Sequence, residues 1–221
     1  MTFITNFNGN PNIGLFGYAT NKYCLLSKEV QRKVVKEIEK TLNVKVQRIS
    51  IAGTVLIGVF CAGNSKCLLI PALVFDDEIK KLDKTRINYE IIETRFTALG
   101  NNILVNDKGC LVNPKFEDTA IKQIEKALGV KVKRATIADL NTLGSLAILN
   151  KKGCLAHYEI KKKESQQIRK VLKVKVFSSS INRGSPYVKS GLMLNDLDYV
   201  VGDQSTGVEI GEVENALGFV R

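Results

Sequence analysis

The chain has 221 residues, 44% of them hydrophobic, and its 33 basic and 22 acidic residues give a formal net charge of +11. A chain of this length and composition can bury a full core, which argues against disorder. The longest apolar run, 54–62, is too short to cross a bilayer, and residues 1–6 lack the charged start of a signal peptide, so we expect a cytoplasmic protein with no membrane contact. The excess positive charge favours an anionic partner, nucleic acid first.

One short phrase recurs along the chain: an asparagine, followed three or four residues later by a cysteine or tyrosine that opens an apolar run. The second residue of the phrase recurs at steps of 43, 43, 44 and 45 residues, at Cys24, Cys67, Cys110, Cys154 and Tyr199. A period of about 44 residues fits five times into the chain. The period predicts one domain over 1–221, made of units near 1–46, 47–91, 92–132, 133–176 and 177–221.

Each unit predicts the same order of elements. A short apolar run after the asparagine, such as 110–112, predicts a buried strand. A helix follows, with its start predicted near Ser27, Asp76, Asp118 and Thr206 in four of the units. Alternating residues after the helix, as in 44–46, predict a half-buried strand. A further apolar run, such as 55–60 or 143–148, is predicted to be a strand that leads to the next asparagine.

The cysteines are predicted to be reduced thiols. Four of the five occupy equivalent positions, and the fifth is Cys61. Equivalent positions in a ring lie farther apart than the Cα separation of about 6 Å that a disulfide needs, so these cysteines should pack as small apolar side chains. The chain has no Cys-x-x-Cys pair and a single histidine, His157, which argues against a zinc site. We expect no metal and no cofactor.

Units of this length also occur in WD-type propellers and HEAT-like solenoids. A WD-type blade is all strand with a Trp-Asp signature, whereas this chain has no tryptophan and predicts a helix in each unit. A HEAT-like unit is a pair of helices, which the short apolar and alternating runs do not fit. The remaining prediction is an α/β fold, a five-fold pseudosymmetric α/β propeller closed into a ring. Such a ring leaves no free sheet edge, which favours a monomer.

Phrases in all five units, in order, resemble the archaeal and eukaryotic translation initiation factor 6 family. They are 13–16 and 20–25 in the first unit, 50–53, 63–64 and 69–71 in the second, 98–101 and 106–107 in the third, 136–139 and 144–145 in the fourth, and 182–185, 191–196, Thr206 and Glu209 in the fifth. The resemblance implies the pentein fold. It also implies binding to the intersubunit face of the large ribosomal subunit, against a ribosomal protein near the sarcin-ricin loop and ribosomal RNA, which prevents the small subunit from joining. A role in large-subunit maturation is implied as well.

Two features depart from the family pattern. Residues 156–158 read Ala-His-Tyr where the family favours His-Pro, which affects the expected local turn. The sequence stops at Arg221, so we expect no regulation of the kind that depends on the C-terminal extension of the eukaryotic members.

The recurring asparagines are candidates for the contact with the partner. A repeated asparagine can be only a repeated turn, because its side chain caps turns and tolerates left-handed backbone. Loops on one face of a rigid ring are also where binding residues usually lie. We predict that the core of the contact, as the resemblance implies, is made by Asn106, Asp107, Leu192, Leu194, Asn195 and Asp196, with weaker candidates at Asn21, Asn64 and Asn150.

Two further groups carry charge or polarity. Asn101, Asp139, Asn182 and Arg183 are predicted near the ring axis, where Arg183 would tie units together through buried hydrogen bonds; its guanidinium could instead meet a phosphate or carboxylate. The densest basic run, Lys161, Lys162 and Lys163, is either a solvated helix face or a contact with RNA.

Two alternative functions follow from the residues. Pentein folds also include guanidine-modifying enzymes, in which a cysteine nucleophile needs a histidine and a carboxylate. His157 lies only three residues after Cys154, with the two side chains on opposite faces or out of reach, so we predict no catalytic residues and no enzyme. A nucleic-acid-binding ring without a ribosomal role would explain the charge but not the family phrases.

Overall fold

The structure is a computed structural model that describes residues 2–220. Within that range fifteen short strands form five three-stranded sheets of one design. In chain order the strands are β1 (Phe3–Thr5), β2 (Gly17–Ala19), β3 (Cys24–Ser27), β4 (Val46–Ile49), β5 (Ala62–Gly63), β6 (Leu68–Pro71), β7 (Tyr89–Ile92), β8 (Ile103–Val105), β9 (Cys110–Val112), β10 (Val132–Arg134), β11 (Ala147–Leu149), β12 (Gly153–His157), β13 (Lys175–Ser179), β14 (Leu192–Leu194) and β15 (Tyr199–Gly202).

The middle strand of each sheet pairs antiparallel with the strand before it and parallel with a third strand. In the first sheet Cys24 of β3 pairs with Ala19 of β2 and with Val46 of β4. A tight turn joins the antiparallel pair, and a helix crosses from the middle strand to the parallel one, as the geometry of the two pairings requires. The five crossing or terminal helices are α1 (Arg32–Leu42), α3 (Asp76–Asp83), α5 (Asp118–Leu128), α7 (Lys162–Leu172) and α8 (Gly207–Leu217).

The fifth sheet is completed by the start of the chain. Phe3 of β1 pairs in parallel with Val200 of β15, so the first strand of the chain closes the last unit. The first four sheets end at 49, 92, 134 and 179. The unit limits predicted at 46, 91, 132 and 176 therefore fall inside the parallel strands, and β1 belongs to the fifth sheet and not to the first unit. The alternating phrase used to set those limits covers only the start of the parallel strand.

The strand predicted at 55–60 is wrong throughout, and the strand predicted at 143–148 is wrong in its first part. The structure has single helical turns there, α2 (Ile57–Phe60) and α6 (Leu143–Leu146), and the strands begin only at β5 and β11. The equivalent segments of the other units are α4 (Leu99–Asn102) and two 3-10 helices, Ile13–Leu15 and Val188–Gly191. A short apolar run fits a buried helical turn as well as a strand, so periodicity could not separate them.

These five helical turns contact one another in a closed circle around the axis. The close approach depends on glycine: a Cβ at Gly58 would lie 1.9 Å from the carbonyl oxygen of Gly14, and a Cβ at Gly100 would lie 2.1 Å from that of Gly58. Gly144 repeats the relationship with Gly100 at 2.5 Å. The circle confirms the predicted closed ring of α/β units.

The buried apolar residues form five clusters, and each cluster joins two neighbouring units. One cluster packs Ile38 and Leu42 of α1 against Met193 and Val200 of the fifth unit. The others join the first unit to the second, the second to the third, the third to the fourth and the fourth to the fifth. Each unit therefore completes its core with its neighbour, as in other repeat architectures.

Two smaller predictions also meet the structure. The cysteines are all free and buried, as expected. Helix α1 begins at Arg32 and not near Ser27, because Ser27 is the last residue of β3.

Across residues 2–220, none of the helices combines the length and the apolar character that crossing a membrane would require.

Candidate functional site

The five tight turns between antiparallel strands open onto one face of the ring, which we call the asparagine face. It comprises turn residues 20–23, 64–67, 106–109, 150–153 and 195–198. Residues from all five turns line a shared depression of about 300 Å³. Because every turn joins the same pair of strands in its own sheet, the ring brings together loops that are about 44 residues apart in sequence.

The first residue of each turn holds the turn closed with its side chain. Asn64 Oδ1 accepts hydrogen bonds from the backbone N–H groups of Lys66 at 3.0 Å and Cys67 at 3.2 Å. Asn106, Asn150 and Asn195 accept the same pair of bonds in their turns. In the first turn the hydroxyl of Thr20 accepts them, from Lys22 and Tyr23. The repeated residue is therefore an Asx or Ser/Thr turn.

The structure shifts two of the predicted equivalences by one residue. Thr20, and not Asn21, occupies the asparagine position of the first turn, and Asn21 is equivalent to Ser65. Leu68, and not Cys67, is equivalent to Cys110, because each is the first residue of the strand to pair after its turn. A cysteine stands next to the strand start in both alignments, so the sequence alone did not separate them.

Four of these asparagines also join one unit to the next. The side-chain amide of Asn106 donates to the carbonyl oxygen of Leu172, the last residue of helix α7, at 2.8 Å. The corresponding pairs are Asn64 with Leu128 at 3.1 Å, Asn150 with Leu217 at 2.9 Å and Asn195 with Leu42 at 2.7 Å. Each amide caps an otherwise open carbonyl at the end of the neighbouring helix. These side chains are engaged inside the protein, and Asn64, Asn150 and Asn195 are buried.

The residues that a partner would meet are those that follow the asparagine position. Asp196 accepts from the amide of Asn21 at 2.7 Å and from the backbone N–H of Lys151 at 2.8 Å. Asp107 accepts from the backbone N–H of Ser65 at 2.9 Å. Asp107 and Asp196 therefore tie neighbouring turns together at the surface. The same turns expose Leu197 and the lysines Lys22, Lys66, Lys108, Lys151 and Lys152.

The predicted contact residues Leu192 and Leu194 are both buried, although Leu194 lines the floor of the depression. They lie in β14, are 1% and 6% exposed, and pack in the fifth-unit core. Because the inner strand of a unit faces the core and the axis, these side chains offer a partner little surface, and their contact with one stays a prediction. They support the turn at 195–198 from below.

The ring axis is occupied by a residue that the sequence reasoning missed. Lys189 takes the place held by Gly14, Gly58, Gly100 and Gly144 in the other units. Its ammonium donates to the carbonyl oxygens of Gly58 at 3.0 Å and Gly100 at 2.6 Å, so the side chain crosses the axis from the fifth unit to the second and third. Enclosure by protein atoms lowers the pKa of Lys189 to about 8. In the sequence, the signal for this role is that the second residue of the helical turn is glycine in four units and lysine in the fifth.

Of the four residues predicted near the axis, Asn101 lies there. It lines a cavity of about 460 Å³ on the axis together with Asn12 and Lys189. Asn182 joins the fifth unit to the first, because its amide donates to the carbonyl oxygen of Pro11 at 3.0 Å.

Asp139 and Arg183 do not lie at the centre, which corrects the prediction. The carboxylate of Asp139 pairs with Lys161 and is 69% exposed, and the side chain of Arg183 is exposed. Both stand in turns with left-handed backbone, at φ 60° and 63°. Buried carboxylates anchor these turns: Glu164 accepts from the N–H of Asp139, and Glu209 from that of Arg183.

Comparison with known proteins assigns the family. The model of the eIF-6 family matches residues 3–216. The chain is 45% identical to translation initiation factor 6 of Pyrococcus furiosus over 221 residues, and the match covers 97% of each chain. It is 42% identical to the protein of the same name from Natronomonas pharaonis, with 97% of each chain covered. The chain belongs to the eIF-6 family.

This eIF-6 family chain shares its fold with enzymes of low sequence similarity. The N-terminal domain of ArgZ, an arginine dihydrolase from cyanobacteria, superposes with a TM-score of 0.52 at 13% identity, over 81% of this chain and 71% of the other. A second structure of that domain gives 0.51 at 11% identity. At such identities the likeness shows the fold alone, and it supports the five-fold pseudosymmetric pentein fold predicted above.

The thiols of the eIF-6 family chain are unsuited to nucleophilic chemistry. Burial raises the pKa of Cys24, Cys61 and Cys154 to about 12, and that of Cys67 to about 11. His157 is buried in β12, where its Nδ1 accepts from the N–H of Glu159 at 2.9 Å and closes the turn after the strand. A thiol attacks as the thiolate, which these cysteines do not form near neutral pH.

The basic run of the eIF-6 family chain lies away from the asparagine face. Lys161 precedes helix α7, and Lys162 and Lys163 are its first two residues. Leu172, at the other end of α7, meets Asn106 of the asparagine face. An α-helix rises about 1.5 Å per residue, so these 11 residues separate the two sites by about 16 Å.

Proposed function

We propose that this eIF-6 family protein binds the intersubunit face of the large ribosomal subunit through its asparagine face and thereby prevents the small subunit from joining. The observation that carries the proposal is the collection of all five turns, with their exposed lysines and Leu197, on one face of a closed ring. Family membership supports a role in translation initiation, because the relatives carry that name.

A rigid face suits this task. Asp107 and Asp196 bond across to neighbouring turns, and four asparagines bond to neighbouring helices, so the loops are ordered before a partner arrives. Pre-ordered loops lose little conformational entropy on binding, which favours affinity. The excess of lysine speeds encounter with an RNA-rich surface, while the protein patch around Leu197 supplies specificity. We place the contact against a ribosomal protein near the sarcin-ricin loop and adjacent ribosomal RNA.

We further propose that the protein acts as a monomer in the cytoplasm, without enzymatic activity, and that it assists large-subunit maturation. The RNA contact predicted for Lys161, Lys162 and Lys163 would lie on a different side of the ring. Lys161 is already paired with Asp139, which reduces what this run offers to a phosphate. Replacing Lys162 and Lys163 by glutamate tests that contact: unchanged salt dependence of subunit binding would exclude it.

The main test is co-sedimentation with separated large and small subunits, combined with a subunit-joining assay. The variant Lys108→Glu with Leu197→Asp changes two exposed residues of the asparagine face. Lys36→Glu with Val208→Asp makes the same chemical changes at exposed positions on helices α1 and α8. We expect wild type and the helix control to bind large subunits and block joining, and the face variant to lose both by at least about tenfold, or 1.4 kcal/mol.

The alternatives predict other results. A nucleic-acid-binding ring would bind both subunits and bare duplex equally, with affinity that salt abolishes. A guanidine-modifying enzyme would hydrolyse simple guanidino substrates. Either result, with no preference for large subunits, would overturn the proposed function.

A further inference from the structure

The joint between the first and second units differs from the other four. Thr20 stands where the other turns carry asparagine, and its hydroxyl is used within its own turn. Helix α3 of the second unit has 8 residues, whereas the other four long helices have 11. The carbonyl oxygen of Leu82 near its end is capped by Thr85 of the same unit at 2.6 Å. At this joint the hydrogen bond from Thr85 takes the place of the asparagine amide bond that closes the other four joints.

A cleft of about 330 Å³ lies at this joint, beside the end of the shorter helix, and we call it the first–second cleft. Its charged lining comes from four segments. They are the first turn with Lys22, the residues after α1 with Lys45, the second turn with Lys66 and the segment after α3 with Arg86. Tyr23 also lines the cleft, and its hydroxyl is buried without a hydrogen-bond partner among residues 2–220.

The charge of the cleft is of one sign. Its lining residues within the described part of the chain include four cations and no aspartate or glutamate. All four cations are exposed, and none takes part in the ion pairs found between described residues. The ammonium of Lys22 donates to the carbonyl oxygen of Ser65 at 3.0 Å and so stays at the cleft entrance. The ammonium of Lys66 lies beside Gly129 at the joint with the third unit, so Lys22, Lys45 and Arg86 supply the positive charge that would attract an anion to the cleft.

The chemistry of the lining selects phosphate. Lysine ammonium groups and an arginine guanidinium together suit the spread charge of a phosphodiester, and the arginine can bind it with two parallel hydrogen bonds. The cleft shares Lys22, Asn64 and Ser65 with the depression of the asparagine face, so the two surfaces are continuous. A partner docked on that face would bring its own surface to the cleft.

We propose that the first–second cleft binds backbone phosphates of ribosomal RNA when the asparagine face is docked on the large subunit. This inference rests on the proposed function for the identity of the RNA. It assigns the RNA contact to the joint between the first two units and not to the basic run at 161–163.

The test compares Lys45→Glu with Arg86→Glu against the matched variant Lys33→Glu with Lys36→Glu on the exposed side of α1. Both change the net charge equally, so a general charge effect would appear in both. Affinity for purified large subunits is measured at several salt concentrations. Each phosphate contact to duplex-like RNA contributes about 0.9 to the slope of log affinity against log salt. We expect the cleft variant to lose at least about tenfold in affinity and to lower the slope by about 1 to 2, with little change in the control.

A second arm uses a short fluorescent RNA hairpin without ribosomes, measured by anisotropy. The cleft variant should bind the hairpin more weakly than the control does, and Lys45→Gln with Arg86→Gln should give an intermediate loss. Thermal unfolding of each variant confirms that it is folded. If a variant does not fold, the glutamine pair serves as the test.

The outcomes separate the inference from the proposed function. Normal subunit binding and an unchanged slope in the cleft variant would overturn the inference and leave the function intact. Suppose instead that the cleft variant loses subunit binding while the salt slope and the hairpin affinity stay unchanged. That result would point to an acidic protein segment in the cleft and would also overturn the inference. If the wild-type protein fails to bind large subunits, the proposed function fails. If the cleft variant and the control then bind the RNA hairpin with equal affinity, phosphate binding by the cleft is overturned as well.

Discussion

The side-chain amide of Asn195 donates to the carbonyl oxygen of Leu42 across 2.7 Å, although the two residues are 153 positions apart in sequence. Leu42 ends the first long helix, and Asn195 opens the last turn of the asparagine face, so this bond joins the fifth unit to the first. The same contact serves three other joints. One residue type at one position thus shapes the exposed face and holds the ring together.

Replacing Asn195 by alanine should destabilise the protein by about 1–3 kcal/mol, because the buried carbonyl of Leu42 and two turn N–H groups lose their partner. Asn21→Ala provides the control, since Asn21 is exposed and bonds only at the surface to Asp196. That variant should lose less than about 1 kcal/mol. Urea unfolding of both variants measures the difference, and equal losses would contradict the role assigned to the buried amide.

Lys189 should make stability depend on pH in the alkaline range. Its pKa is lowered from 10.5 to about 8 in the folded protein, mainly by burial. Between these values the unfolded chain binds more protons than the folded one, so stability should rise as pH increases from about 8 toward 10.5. Below pH 8 the cost of enclosing the charge is fully present.

The variant Lys189→Met isolates this effect, because methionine keeps a long side chain on the axis and does not titrate. Relative to the variant, the wild type should gain up to about 1.4 kcal/mol per pH unit above pH 8. Denaturant unfolding of both proteins from pH 7 to 10 gives the two curves. Parallel curves would show that Lys189 keeps an ordinary pKa.

The parts of the fold that recur in the sequence could be predicted from it. The asparagine turns and the apolar runs at a constant period gave the five units, the ring and the free thiols. The contacts of Asn106 and Asn195 with Leu172 and Leu42 could not be predicted, because the local pattern of an Asx turn is complete without them. When such a side chain also bonds to a neighbouring unit, the sequence of its own segment does not indicate that second contact.

The wrong predictions also concern features that depend on contacts between units. The helical turns around Gly58 and Gly144 pack where the axis leaves no space for a Cβ, and that crowding exists only in the closed ring. The burial of Leu192 likewise depends on which way the inner strand faces. The first–second cleft lies beside helix α3, which is shorter than its counterparts and has only Ile79 and Leu82 as apolar residues.

The buried thiols should resist labelling in the native protein. Burial holds the pKa of Cys24 and Cys61 near 12, so the reactive thiolate is scarce at pH 7.5 and the reagent has no access. We expect labelling by a disulfide reagent to follow the rate of unfolding, and to become fast and complete in urea. One thiol that reacts rapidly under native conditions would revive the enzymatic alternative.

Alanine at Gly58 and at Gly211 should have effects of opposite sign. A Cβ at Gly58 would lie 1.9 Å from the carbonyl oxygen of Gly14, so the circle of helical turns would have to open, at a cost of about 1–3 kcal/mol or more. Gly211 lies inside helix α8 with nothing within 4 Å of an added Cβ. There alanine should stabilise by about 0.5–1 kcal/mol, because it restricts the unfolded chain. Urea unfolding measures both, and a loss of subunit binding in Gly58→Ala alone would show that the axial circle sets the geometry of the asparagine face.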